Sequence, residues 1–303
     1  MKEYEIQIEI EKSCLLNCVH CSSYEMRKFG KRSYSDEVII DFLSCFQGPI
    51  HVCFTGGDPL LYPNLITLCQ NISSCKANVS IGLYTSGNCA MMQPISEEFA
   101  VLLAHAGVKE CYFSIYHSIP KVHDDFTGRK GSFHNMLLSA RSMQSVGILP
   151  KAHLVLNKIN QKDLDSIISY CGDIGFVEVR ILRLTMSGNA SANWDKIGIP
   201  IIRQNEIIAS LITRREDFNV KLSFSGYPHL HACRSSRNAY KCQAGTNLLY
   251  ITLSGDVYPC ACTTRAGQRY KLGNINNPKE IINRMNALYA DMFNHFCLNE
   301  SDI

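Results

Sequence analysis

Six short β-like runs alternating with helix-like segments predict an α/β protein built on a parallel sheet. Two further observations support that class. Polar and glycine-rich stretches follow the first three runs, at the strand ends where parallel sheets collect their ligand sites. Each intervening segment also starts near a helix-capping residue, and most stop at glycine. At 303 residues, 46% hydrophobic and 19% charged, the chain can bury a large core, as one domain or as a domain with a small appendage.

The first run, Tyr4 to Glu11, places Ile6, Ile8 and Ile10 on one face. Buried-strand patterns follow at Ile50 to Thr55, Val79 to Thr85, Lys109 to Tyr116, Lys151 to Leu156 and Phe176 to Leu182. Helices are predicted over Ser35 to Phe46, Asn64 to Ser73, Ser96 to Ala106, Ser132 to Val146 and Lys162 to Cys171. Beyond Leu182 the pattern changes. A loop from Thr185 to Trp194 leads to a helix over Pro200 to Arg215 and a strand-like Val220 to Phe224. Leu248 to Leu253 and Asp256 to Tyr258, joined by Ser254-Gly255, read as a hairpin, and Lys279 to Phe296 as a last helix. These shifts divide the chain into a core over 1–184, a connecting segment over 185–230 and a C-terminal region over 231–303.

Net charge is only +3, with acids and bases interspersed, which predicts neither nucleic-acid binding nor a polybasic membrane patch. No apolar stretch approaches the roughly 18 residues of a membrane span. Met1 to Glu5 is polar and unlike a signal peptide, so a cytoplasmic location is expected. In that reducing setting, 15 cysteines point to metal binding rather than to a disulfide framework. Cys45, Cys53, Cys69, Cys75, Cys89, Cys111 and Cys171 lie in apolar contexts and are expected to be small core residues.

Cys14-Leu-Leu-Asn-Cys18-Val-His-Cys21 is a C-x3-C-x2-C triad directly after the first strand. Three thiolates can hold three corners of an iron–sulfur cubane and leave the fourth iron without a protein ligand, whereas a zinc site asks for a fourth nearby ligand. Thr55-Gly56-Gly57-Asp58-Pro59 follows strand two, where glycines allow close backbone approach to a ligand. Thr85-Ser86-Gly87-Asn88 follows strand three, Ser114-Ile-Tyr-His117 ends strand four, and His123-Asp-Asp-Phe-Thr-Gly128 comes next.

In this order the motifs resemble the radical S-adenosylmethionine (SAM) superfamily over Ile6 to about Leu182. The resemblance implies a partial (β/α)6 barrel with a small C-terminal hairpin-plus-helix extension. It implies a [4Fe–4S] cluster on Cys14, Cys18 and Cys21 whose open iron chelates SAM. SAM contacts are implied for His20, at a position usually aromatic, and for Gly56, Gly57, Asp58 and Pro59, with Asp58 replacing the usual Glu. They are implied also for Ser86, Ser114, Asn157 and Leu182. His153 and Arg180 to Arg183 stand on the strands that usually flank SAM. A flavodoxin- or ferredoxin-type electron donor would supply the electron.

The stretch Cys242-Gln-Ala-Gly245 … Gly255-Asp-Val-Tyr-Pro-Cys260 is similar to the SPASM/twitch extension, which implies an auxiliary [4Fe–4S] cluster. The length of the chain favours the one-cluster twitch form. Cys242, Cys260 and Cys297 are the expected ligands, with the fourth place open to Cys262, to Cys233 or to substrate. Cys233 and Cys262 are also candidate catalytic thiols that return a hydrogen atom to a substrate radical.

The expected activity is reductive cleavage of SAM and hydrogen abstraction from a ribosomal peptide or small natural product, ending in oxidation, crosslinking or epimerisation. A peptide would be recognised at the barrel rim or through a separate leader-peptide-binding protein. Sugar or aminoglycoside dehydrogenation or epimerisation is the alternative among enzymes. Outside enzymes, an iron–sulfur electron carrier or a zinc-binding protein is the alternative. The C-terminal sequence lacks the Gly-Gly tail typical of the molybdopterin-precursor cyclase, which counts against that member.

Overall fold

The computed structural model describes residues 3–227, 243–285 and 287. Among these residues ten strands form one sheet in the order β10-β9-β8-β1-β2-β3-β4-β5-β6-β7. The six expected strands are β1 (Tyr4–Glu11), β2 (Ile50–Gly56), β3 (Val79–Thr85), β4 (Val108–Ser114), β5 (Leu149–Val155) and β6 (Glu178–Leu182), and each pairs in parallel with the next. The strand-like run after the long helix is a seventh parallel strand, β7 (Lys221–Ser225), on the free edge of β6.

On the opposite edge, β8 (Leu248–Ile251) pairs in parallel with β1, and β9 (Asp256–Tyr258) and β10 (Gly273–Asn274) continue the sheet antiparallel. The C-terminal hairpin therefore extends the same sheet that carries the cysteine loop. Glu9 fastens it: its Oε2 accepts from Leu253 N at 2.7 Å and its Oε1 from the Tyr250 hydroxyl. Burial raises the Glu9 carboxyl above its ordinary range, against these two bonds.

Five helices return the chain where expected: α2 (Asp36–Ser44), α3 (Leu65–Cys75), α4 (Glu97–His105), α6 (Ser132–Ser145) and α7 (Leu164–Asp173). Ser96 caps α4 by accepting from Phe99 N at 3.1 Å. Four helices stand where no helix was expected. α1 (Tyr24–Phe29) follows the cysteines, and α5 (Pro120–Thr127) carries most of the His123 to Gly128 motif. The presumed 185–194 loop contains α8 (Asn189–Ala192) and leads into α9 (Trp194–Ile197). Each has only a turn or two, too short for a 3.6-residue periodicity to show in the sequence. α10 (Ile201–Thr213) and α11 (Pro278–Arg284) complete the described helices.

Period-two alternation divides each strand between two environments. Ile6, Ile8, Val52, Phe54, Leu83, Phe113, Leu154 and Ile181 are fully buried in the main core. The other face is polar: Gln7, His51, Tyr84, Tyr112, Lys151 and Arg180 stand there in register. Lys151 Nζ lies 2.7 Å from Glu110 Oε1, and the Arg180 guanidinium sits 5.0 Å from the Tyr112 ring centre. Charged groups of both signs thus line the inner face, unlike the branched apolar filling of a closed (β/α)8 barrel.

Of the seven cysteines expected in the core, Cys53, Cys69, Cys111 and Cys171 are buried. Cys45 and Cys75 are exposed instead, because they fall at the ends of α2 and α3, and Cys89 is half-buried. Cys53 belongs to the polar face, with its Sγ 3.0 Å from His51 Nε2.

Candidate active site

The cysteine loop leaves the C-terminal end of β1, and its backbone is tied on every side. Asn17 N donates to Thr127 O (2.9 Å) and Val19 N to Phe126 O (3.0 Å), so the end of α5 serves as a rail for the loop. That rail is itself set by Asp124, whose carboxylate accepts from Gly131 N, Phe133 N and Ser132 Oγ. The Arg27 guanidinium binds Cys14 O (2.9 Å) and Leu16 O (2.7 Å), and Arg129 Nε reaches Leu15 O (3.1 Å). From the far end of the chain, Asn189 N donates to Cys21 O, Asn189 Nδ2 to Cys18 O and Asn193 Nδ2 to Val19 O. Gly188, at φ 53°, permits this approach, since a Cβ there would lie 2.4 Å from Cys21 O.

The thiols stand close enough to influence one another. Cys18 is pushed above the ordinary thiol range by burial first and then by its neighbours Cys14 and Cys21. Cys14 rises to about 11, again chiefly through burial, with the Asp58 charge adding to it. Buried thiols of this kind stay protonated until a metal displaces the proton. Among the described residues no three His, Cys, Asp or Glu side chains surround a single-ion position. A cubane makes a different demand, because each thiolate binds its own iron.

The Gly56–Pro59 segment packs on this loop. Gly57 N donates to Glu11 O (2.6 Å) and Asp58 N to Ser13 O (2.8 Å). A Cβ on Gly56 would sit 2.2 Å from Glu11 O, and one on Gly57 would sit 2.2 Å from Ser13 O. Contact with the end of β1 and with the cysteine loop thus requires glycine at both positions, independently of any ligand. Pro59 is buried. Asp58 is buried too, and its carboxylate accepts four bonds: from Leu60 N, Thr85 Oγ1, Ser86 N and Ser86 Oγ. Burial nevertheless keeps its carboxyl above the ordinary range. Asp58 and Ser86 thus join the loops after β2 and β3.

His20 lies between two rings, stacked on Phe126 at 5.1 Å and tilted against Tyr116 at 4.8 Å. Burial lowers it to about 4, so the imidazole is neutral, and its buried Nδ1 has no partner. Ser114 ends β4 beside this aromatic group. The Asn157 Oδ1 accepts from Ile159 N and Asn160 N, and its Nδ2 donates to Val155 O. The Leu182 carbonyl accepts from Leu156 N at 3.0 Å. Both residues brace the ends of β5 and β6.

In the C-terminal region Cys260 and Cys262 follow β9 and are half-buried. Thr263 locks the turn by donating from its Oγ1 to Cys260 O (2.7 Å). The helical turns that follow carry Arg265 into a cleft shared with Arg183, Met186 and Trp194, so this region reaches the β6 side of the mouth. Cys233, Cys242 and Cys297 lie outside the described residues.

A match to the Radical SAM superfamily covers residues 8–171, more than half of the chain. The chain belongs to that superfamily. A second match, to the SPASM iron–sulfur cluster-binding domain, covers residues 242–297. The protein is an enzyme of this family, with a SAM-binding [4Fe–4S] cluster, SAM and an auxiliary cluster as its cofactors.

Similar curated proteins include the AdoMet-dependent heme synthase of Oleidesulfovibrio alaskensis, 22% identical over 83% of this chain and 68% of that protein. The sporulation killing factor maturation protein SkfB of Bacillus subtilis is 22% identical over 84% of this chain and 59% of its own length. The GTP 3′,8-cyclase of Peptoclostridium acidaminophilum is 26% identical over 62% and 58%. Among solved structures, Streptococcus suis SuiB bound to SAM superposes with a TM-score of 0.68 at 16% identity, over 96% of this chain and 68% of that one. The anSMEcpe enzyme with AdoMet and the Cp18Cys peptide gives 0.69 at 17%, over 95% and 82%. These likenesses establish the fold.

The residues present fit the SAM-binding cluster. Three neighbouring thiols, a guanidinium against their loop and an unpartnered His20 Nδ1 form a donor set and a lining suited to an anionic cluster and its ligand. Arg27, Arg129, Gly188, Asn189 and Asn193 were missed in the sequence. Only the Gly-Asn-x3-Asn pattern at 188–193 carries a local signal, and nothing in it indicates which loop it binds.

Proposed function

We propose that the enzyme modifies a peptide by hydrogen abstraction, ending in oxidation, crosslinking or epimerisation. The observation that carries this reading is the distribution of exposed apolar side chains. Among the described residues the four most exposed large ones are Met91 (85%), Phe29 (78%), Ile202 (71%) and Ile119 (53%). All four lie on segments that follow β1, β3, β4 and β6 in the chain. An apolar rim of this kind suits an extended chain with its own side chains better than a small polyhydroxylated sugar. The maturation role in the name of SkfB and the precursor peptide bound by SuiB support the same reading.

SAM and the reduced cluster, when bound, supply a 5′-deoxyadenosyl radical. The protein holds and orients. Cys14, Cys18 and Cys21 would ligate three irons, and the tied loop fixes them relative to the strand ends. Gly56 to Pro59 and Ser86 would form the wall beside the methionyl group, with Asp58 bracing that wall from behind. His20, Tyr116 and Phe126 form an aromatic side to the pocket, and Ser114, Asn157 and Leu182 shape its far wall. Cys242, Cys260, Cys262 and Cys297 are assigned to the auxiliary cluster, and Cys233 or an unligated Cys262 to hydrogen return. A one-electron donor of the flavodoxin or ferredoxin type, and a separate leader-binding protein, complete the reading.

The test uses protein reconstituted anaerobically, with SAM and dithionite, alongside a variant with Cys14, Cys18 and Cys21 changed to Ala. Wild type is expected to form 5′-deoxyadenosine and the variant none. A pool of apolar synthetic peptides is expected to raise that rate and to lose two hydrogens or, in D2O, to gain one deuterium. Stimulation by aminoglycosides but by no peptide would replace this reading with the sugar one.

A further inference from the structure

Arg27 is the side chain that the motifs leave unexplained, and three observations converge on it. Its Nη2 donates to Cys14 O (2.9 Å) and Leu16 O (2.7 Å), and its Nη1 points at Cys21 Sγ from 3.8 Å. One guanidinium thus spans the first and third cysteines of the triad. The side chain is half-buried, packed between α1 and the cysteine loop rather than free in solvent. Lys12, Lys28 and Lys31, its neighbours in sequence, are exposed and make no hydrogen bond to the loop among the described residues, and Arg129, which reaches Leu15 O, is exposed as well.

We propose that Arg27 is a positioning and potential-setting residue for the SAM-binding cluster. This rests on the assignment of Cys14, Cys18 and Cys21 as its ligands. A [4Fe–4S] core carrying two positive charges and bound by three thiolates has a net charge of about −1, and accepting one electron takes it to about −2. A fixed positive charge at the thiolates stabilises the more negative state more, and an N–H donor to a ligand sulfur acts in the same direction. Arg27 therefore raises the midpoint potential and makes the electron that cleaves SAM easier to deliver. The fork geometry explains why arginine is present: a planar guanidinium reaches two carbonyls and one sulfur at once, which a single ammonium group cannot do in the same orientation.

The experiment is an EPR-monitored potentiometric titration of the reconstituted enzyme, with Arg27→Gln and Arg27→Lys. It follows the reduced-cluster signal that changes when SAM is added, which separates this cluster from the auxiliary one. In wild type that signal must be present, and its absence would refute the ligand assignment rather than the role of Arg27. The expected result for Arg27→Gln is a fall in the reduced-to-oxidised ratio, at fixed potential, of at least tenfold, a midpoint lower by about 59 mV for one electron. Arg27→Lys is expected to fall part-way, keeping charge but losing the fork. An Arg27→Gln signal titrating at the wild-type midpoint overturns the proposal. Should Arg27→Gln fold but retain no SAM-responsive cluster, the positioning half is supported. Arg27→Lys then decides the other half: a midpoint lowered part-way supports it, and an unshifted one overturns the fork's share in setting the potential.

Discussion

Gly57→Ala is the sharpest probe of how the site is built. A Cβ at position 57 would lie 2.2 Å from Ser13 O and 2.4 Å from Lys12 O, where 3.4 Å or more is ordinary contact. The two backbones must part by roughly 1 Å. That separation breaks or strains Gly57 N→Glu11 O (2.6 Å) and Asp58 N→Ser13 O (2.8 Å). Each lost bond costs about 1 kcal/mol net, and more where a buried partner is stranded. The lower unfolded-state entropy of Ala returns about 0.4–1 kcal/mol. The expected loss is about 2–4 kcal/mol, measured by urea denaturation of the apoprotein under reducing conditions. Ser13 precedes Cys14, so the displacement also enters the cysteine loop, and reconstituted iron per chain should fall. If the glycine served only ligand approach, the apoprotein would keep its stability and only SAM affinity would drop. An apoprotein within about 0.5 kcal/mol of wild type, with full iron, refutes the argument.

Two further expectations test the supports of the site. Asn189→Ala removes the bond to Cys18 O (3.1 Å), worth about 1 kcal/mol, while keeping the backbone bond to Cys21 O. Iron loss to a chelator should accelerate by roughly fivefold, as about 1 kcal/mol implies, with the fold intact; an unchanged rate counts against the clamp. His123 is 1% exposed, and burial lowers it to about 4, so its Nδ1 accepts from Tyr116 N as a neutral ring. The unfolded chain binds a proton at this residue near pH 6.5 and the folded protein only near pH 4. Stability therefore falls as pH drops through that window, by up to about 3 kcal/mol from His123 alone. His123→Gln should make the denaturation profile shallower between those values, His20 still contributing to it, and parallel profiles would refute the assignment.

The sequence by itself determined the alternating architecture and the chemistry of the cysteine loop. Ile6, Ile8 and Ile10 announce a strand with one buried face, and C-x3-C-x2-C followed by Gly-Gly-Asp-Pro announces a cluster and its neighbour. Such features are local: period, spacing and turn chemistry are written within a few residues. The tertiary structure decided what lies far apart in the chain. Asn189 meets Cys18 across 171 residues, and Glu9 meets Leu253 across 244. A single Asn or Glu carries no mark of its distant partner, because buried polar groups are satisfied by whatever the fold brings within reach. For the same reason the partners of Asp58, Asn157 and Gly57 within the protein became legible only in three dimensions, where each braces or closely approaches other backbone. The seventh strand and the C-terminal hairpin were readable as elements, but their places on β6 and β1 were not, since any exposed sheet edge will accept a matching strand and only three-dimensional proximity selects which one.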